Sequence, residues 1–350
     1  MFNSNNIITN KLSINLQKAL KKYPIDKVFI LVDDNSFKHC FPVINKITRL
    51  NNDNIIKIAS GEENKNIDTI VSIWNFLSKN KADRHSLLIN LGGGVVCDIG
   101  GFAASTFKRG IGFVNIPTTL LSQIDAAVGG KTGFNFNGLK NEIGVINNAK
   151  HVFIDTIFLK TLDKENILSG FAEMIKHALI YSKKYYSELL NLDIENTNSK
   201  EFKEAVIKSI NIKNHFVKKD PQEQNIRKSL NFGHTFAHAF ESLALANNRH
   251  ITHGYAVAFG IIPELYLSFK KLGFNHDILT EISNNIIRIY GEFNLDKNDY
   301  TKIINYIKHD KKNIDNKPMF TLLKNIGNVS INNSCEDEEL SEALDFYSSL

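Results

Sequence analysis

Three histidines in the stretch Asn231–His253 (NFGHTFAHAFESLALANNRHITH) have types and spacing that suit chemistry. His234 and His238 are four residues apart, so a helix would stack them on one face. His253 follows a short polar loop, Asn247–His250, that can return the chain toward that face. Imidazole ligates zinc-like metals and also carries protons near neutral pH. The trio therefore fits a metal site, an acid–base site or both. With 11 histidines in 350 residues, one such pair also arises by chance.

Other segments carry groups of matching chemistry. Glu173 and Lys176 are three apart in a helical pattern, with His177 adjoining. Such pairs are commonly solvated salt bridges worth a few tenths of a kcal/mol. The apolar Gly170–Phe171–Ala172 before Glu173 suits a metal ligand equally. Lys213, Arg227 and Asn231 add two cations and an amide. Gly92–Gly93–Gly94 joins a strand pattern to a helix pattern, where a backbone can approach a pyrophosphate. The dinucleotide fingerprint fails there because its last glycine is Cys97, and a tight turn without ligand fits as well. Asp98 is then a residue near the helix dipole or a cofactor contact. Arg109, in Lys108–Arg109–Gly110, is a surface turn residue or an anion contact. Val128–Gly133 (VGGKTG) lacks phosphate-loop spacing, which excludes a P-loop ATPase. It reads as a flexible loop presenting Lys131, with Lys140 and Asn141 nearby.

The first part of the chain alternates strand and helix signals. Strands are expected at Lys27–Val32, Ile55–Ala59, Ser86–Leu91 and Phe113–Ile116, with helices at Ile67–Leu77 and Val95–Ala104. This is the pattern of an α/β domain with a mostly parallel sheet. From about Thr161 the apolar spacing becomes helical, over Leu162–Tyr181, Lys200–Lys219, Ser229–Ala246, Gly254–Leu272 and Asp277–Tyr290. Met319–Leu323 is the one late strand candidate. The expected division is therefore an α/β domain over 1–155 and a mainly α-helical domain over 156–350, with the site in a cleft.

Composition narrows the partners. Lys+Arg 42 against Asp+Glu 37 gives +5, spread along the chain, and nucleic acid usually requires a concentrated basic face. Cys40, Cys97 and Cys335 have neither disulfide-framework nor zinc-finger spacing, which points to a reducing cytoplasm. The N-terminal residues lack the apolar core of a signal peptide. The longest apolar stretch, Tyr255–Leu267, contains Pro263 and Glu264 and is too short to span a bilayer.

Taken in order, these segments resemble the 3-dehydroquinate synthase family of the sugar phosphate cyclases. The resemblance rests on SGEENK at 60–65, GGGVVCDIGGFAAS at 92–105, RGIGFVNIPTTLL at 109–121, DAAVGGKTGFN at 125–135 and LKN at 139–141. It continues through FAEMIKH at 171–177, LNFGHTFAHAFE at 230–241, HGYAVAFG at 253–260 and DKKN at 310–313. The family implies an NAD-binding α/β domain, a helical metal-binding domain, an active site between them, and a homodimer in which Arg109 reaches the neighbouring subunit. By position, Glu173, His234 and His253 would hold a divalent metal, zinc or cobalt. Asp33, Asn35, Glu62, Lys65, Gly94, Asp98, Thr118, Thr119 and Thr161 would surround NAD, with Lys131 and Lys140 close by. Asp125, Lys131, Lys140, Asn141, Lys176, Lys213, Arg227, Asn231, His238 and one of Lys311 and Lys312 would contact a small anionic sugar phosphate.

The implied reaction turns 3-deoxy-D-arabino-heptulosonate 7-phosphate into 3-dehydroquinate and phosphate, a step of the shikimate route to aromatic amino acids. Transient oxidation by NAD, phosphate elimination, reduction, ring opening and aldol closure follow one another. Three positions depart from the family pattern: Tyr255 stands where Glu is usual, Ala126 for Ser, and Ala237 for Gly. Tyr255 removes a carboxylate near a presumed ligand. Two neighbouring activities share the plan, a cyclase acting on another sugar phosphate and an iron-type polyol dehydrogenase. Lys213 and Arg227 favour a substrate that carries a carboxylate.

Overall fold

The computed structural model describes residues 5–8 (backbone path only), 11–137, 139–308 and 318–350. The chain forms two compact units. One comprises Met1–Asp163 and Ile194–Ile210, the other Lys164–Asp193 and Asn211–Leu350. Against the expected boundary at 155, the division falls after Asp163 and assigns 194–210 to the first unit. A cut in sequence misses this because compactness is decided by contacts, and chain order need not follow them.

The first unit is built on a fully parallel six-stranded sheet in the order β1-β8-β5-β4-β2-β3. Its strands are β1 Asn5–Ile8, β2 Val28–Asp33, β3 Ile55–Ile58, β4 Leu87–Gly92, β5 Gly112–Pro117 and β8 His151–Ile154. β6 Lys131–Phe136 and β7 Leu139–Ile146 form a separate antiparallel hairpin. Helices α1 Leu12–Leu20, α2 Asp34–His39, α3 Phe41–Thr48, α4 Ile67–Lys79 and α5 Gly94–Thr106 alternate with the strands. The continuous apolar runs of β2 and β4 are buried along their length, as strands covered on both faces must be. Ile30, Ile89, Ile116 and Phe153 share one core with Leu16 and Ile44 of α1 and α3.

Of the segment expected as a flexible glycine loop at 128–133, the second half, from Lys131 on, is strand. Gly133 and Gly144 face each other across the hairpin, where a Cβ on either would lie 2.5 or 2.4 Å from the opposite backbone. Glycine there permits close strand approach, which is indistinguishable in sequence from a loop signal.

The second unit is helical: α6 Lys164–Tyr181, α7 Lys183–Leu190, α8 Lys200–Lys219 from residue 211 on, α9 His234–Ala246, α10 His253–Leu272, α11 His276–Tyr290, α12 Lys297–Lys308 and α13 Asp337–Ser348. The late strand candidate is half of an antiparallel hairpin, β9 Met319–Asn325 with β10 Asn328–Ser334. β10 (NVSINNS) is too polar to declare itself by hydrophobic alternation. The expected helix 229–246 is also broken. A 3₁₀ turn covers Ile226–Asn231, Gly233 takes φ +82°, and α9 begins at His234. That left-handed backbone suits glycine and prevents one continuous helix. All three cysteines are free and buried. Among the described residues, no helix is long and apolar enough to cross a membrane.

Candidate functional site

In the second unit, α6, α9 and α10 bring Glu173, His234 and His253 together, with one donor atom from each lying within 4.8 Å of the others. Glu173 Oε1 is 3.3 Å from His234 Nε2 and 3.4 Å from His253 Nε2. These separations exceed an ordinary hydrogen bond. They match the roughly 3.3–3.4 Å between donors bound tetrahedrally to one ion at about 2.0–2.1 Å. A carboxylate and two imidazoles are also a donor set found in catalytic zinc sites. The residues therefore fit a divalent metal.

The second oxygen of Glu173 meets Lys176 Nζ at 2.5 Å, with both side chains essentially inaccessible to solvent. The solvated helix bridge weighed from sequence is thus a buried ion pair. Burial alone would raise the pKa of Glu173, but Lys176 and then His234 hold it well below the usual carboxylate range. Burial likewise disfavours charged His253, yet the facing carboxylates of Glu173 and Glu241 carry its pKa up to about 10.

Backbone chemistry aims these side chains. Glu264, fully buried on α10, accepts from Gly233 N–H at 2.6 Å and from Thr235 N–H at 3.0 Å. A buried carboxylate thereby satisfies the first donors of α9, where a negative charge is most favourable. His234 is the first residue of that helix. Gly254 donates its N–H to Ser169 Oγ at 3.1 Å, and a Cβ at Gly254 would stand 1.9 Å from Ser169 O. Ala237 is fully buried and accommodated because Gly260 lies against it.

His238 sits one turn beyond His234, their ring centroids 5.8 Å apart, so the i,i+4 stacking holds. Arg227 and Asn231 converge on Glu223: Asn231 Nδ2 donates to Glu223 Oε1 at 2.9 Å, and Arg227 Nε is 4.0 Å from Oε2. Arg227 and Lys213 are both buried.

In the first unit, β2 runs on to β3 at one side of the sheet, while β4 starts the run β4-β5-β8 to the other. The loop ends of β2 and β4 thus flank a switch in strand order, where open parallel sheets bind ligands. Asp33 ends β2 and caps α2, accepting Ser36 N–H at 2.7 Å. Asn35 follows it, its N–H 3.4 Å from Ser60 Oγ. At the end of β4, Gly93 offers no capping side chain to α5, leaving its amino end open to an anion. Gly94 is the first residue of α5 and Asp98 lies one turn on.

Lys65 Nζ donates to Asp98 Oδ2 at 2.6 Å and also to Asn141 Oδ1. Burial opposes its charge, but Asp98 and then Glu62 raise its pKa above the ordinary lysine value. Asn135 Nδ2 donates to Glu62 Oε1 at 2.9 Å, while Asn135 Oδ1 accepts from Asn141 N–H at 2.8 Å. The hairpin is thereby tied to the glutamate–lysine loop. Thr118 is buried, its N–H bonded to Gly92 O, and Thr119 donates to Ser122 Oγ at 2.9 Å. Asp125 lies half-buried on a π-helical turn, Ser122–Ala126. Lys131, Lys140 and Arg109 are exposed, Arg109 at φ +70°, and Thr161 closes an exposed 3₁₀ turn end. Lys311 and Lys312 lie outside the described residues.

Sequence reasoning missed Glu241, Glu264 and Glu223. Glu241 had a signal, since it stands seven residues after His234, two turns along one face. Glu264 had one too: a lone charge inside an apolar helix requires a partner.

The units have the architecture of the sugar phosphate cyclases. A structure of 2-epi-5-epi-valiolone synthase from Streptomyces hygroscopicus subsp. jinggangensis, with NAD+ and Zn2+ bound, superimposes with a TM-score of 0.86 at 22% identity, covering 100% of this chain and 98% of that one. A 2-deoxy-scyllo-inosose synthase complexed with carbaglucose-6-phosphate, NAD+ and Co2+ gives 0.82 at 22% identity, covering 98% and 96%. The chain belongs to the 3-dehydroquinate synthase family. The family's N-terminal model matches residues 55–169 and its C-terminal model residues 170–313. A 3-dehydroquinate synthase of Parabacteroides distasonis is 48% identical over 97% of both chains.

Proposed function

We propose that the protein is a 3-dehydroquinate synthase, a carbon–oxygen lyase that converts 3-deoxy-D-arabino-heptulosonate 7-phosphate into 3-dehydroquinate and phosphate. The observation that carries this reading is the convergence of Glu173, His234 and His253, from three separate segments, in a chain of this family. Bound NAD would supply a reversible hydride acceptor, and a zinc or cobalt ion would polarise the substrate oxygen that it holds.

The chain's own groups have complementary tasks. Asp33, Asn35, Glu62, Lys65, Gly94, Asp98, Thr118, Thr119 and Thr161 are assigned to NAD. Glu173, His234 and His253 hold the ion, and Lys176 keeps Glu173 ionised. Lys213 and Arg227 provide fixed positive charge for the carboxylate, with Asn231 beside them. Lys131, Lys140, Asn141, Lys176 and Asp125 bind the rest of the substrate, and His238 moves protons. Arg109 serves the neighbouring subunit of a cytoplasmic homodimer.

The test is phosphate release from the heptulosonate, followed together with NADH absorbance, with and without a chelator. Phosphate release without NADH accumulation, abolished by the chelator and absent with sedoheptulose 7-phosphate or glucose 6-phosphate, is the expected result. NADH accumulation without phosphate would replace this reading with a polyol dehydrogenase. Turnover of a neutral sugar phosphate instead would indicate another cyclase.

A further inference from the structure

His253 has a carboxylate on each ring nitrogen. Nε2 faces Glu173 Oε1 at 3.4 Å, and Nδ1 faces Glu241 Oε1 at 3.4 Å. Glu241 is buried on α9, the helix that also carries His234. His234 is held differently, its Nδ1 lying 3.2 Å from the carbonyl oxygen of Phe232. We infer that Glu241 is the positioning residue for His253, accepting a hydrogen bond from Nδ1–H so that Nε2 presents its lone pair to the ion. The inference rests on the metal reading above.

This also settles what Tyr255 costs. Residues two apart on a helix do not face the same way. Tyr255 is packed edge-on against Tyr290, with ring centroids 5.1 Å apart, and lies 6.3 Å from Phe259. The carboxylate that orients His253 comes from α9, so the absence of Glu at 255 leaves that partner in place. A carboxylate partner makes an imidazole a stronger ligand than a carbonyl does, and such partners commonly set metal affinity by 10- to 100-fold.

The experiment titrates the full chain, stripped of metal, with Co2+ and Zn2+ against a chromophoric chelator, and records the visible Co2+ spectrum. Glu241→Gln is expected to weaken binding by roughly 10- to 100-fold and to shift the Co2+ bands, with unchanged circular dichroism. Glu241→Asp should recover part of what Glu241→Ala loses, and Tyr255→Phe should bind as the parent does. Parent-like affinity and an unaltered spectrum in Glu241→Gln would overturn the inference while leaving the metal reading intact. Failure of the parent to bind either ion, or undiminished binding by His234→Ala, would instead overturn the metal reading itself.

Discussion

Lys176 and Lys131 are both assigned to substrate, yet they stand in opposite settings. Lys176, with 1% of its side chain exposed, is pinned to a fully buried carboxylate. Lys131 opens an exposed hairpin edge. Among the described residues, the charged candidates Glu173, Lys176, Lys213 and Arg227 of the helical unit are buried, whereas most charged candidates of the sheet unit stay in water, with Lys65 the exception. Chemistry that needs a strong local field belongs in the first setting, because water screens the second. Capture and orientation of a charged ligand tolerate the second.

The contrast is broken most severely at Glu173. Glu173→Ala leaves Lys176 buried without its carboxylate, and removing one member of such a pair costs about 3–5 kcal/mol. Loss of metal binding by Co2+ titration and a melting temperature lowered by roughly 10 °C or more are expected. A parent-like melt would show that the pair is not desolvated in solution.

Lys65→Met tests whether the one buried cation among the described residues of the sheet unit behaves similarly. It removes charged hydrogen bonds worth about 1.5–3 kcal/mol from Asp98 and Asn141. NAD affinity, followed by protein fluorescence, should fall by about 10-fold or more with metal binding untouched. Glu264→Gln should cost about 1–2 kcal/mol in urea unfolding by weakening the cap on α9. Lys131→Ala and Lys140→Ala should change stability by less than about 0.5 kcal/mol, as exposed positions do. Their effect belongs in substrate KM; a large drop in melting temperature would remove the contrast altogether.

Much of this was legible in the residues, unevenly. The α/β-then-helix order, the apolar strands and His234 above His238 follow from period and spacing. What escaped depends on contacts between segments remote in sequence. The β6–β7 hairpin looked like a loop because glycines that allow close approach resemble glycines that turn. β10 hid behind its asparagines. The Glu173–Lys176 spacing is the same on a wet helix as on a buried one, so only the fold could distinguish them. Tyr255 looked like a lost partner because local sequence cannot reveal that the partner arrives from another helix.

Gly254 leaves one further mark. Because α6 and α10 come within main-chain contact there, at Ser169, the spacing of the two helices that carry Glu173 and His253 is fixed by the frame. An ion held across that spacing would have to be small, with donors at about 2.0–2.1 Å. Calcium, whose oxygen ligands stand about 2.3–2.6 Å away, would need the two helices to part. An enlarged residue at 254 would push α10 away from Ser169 and widen that spacing.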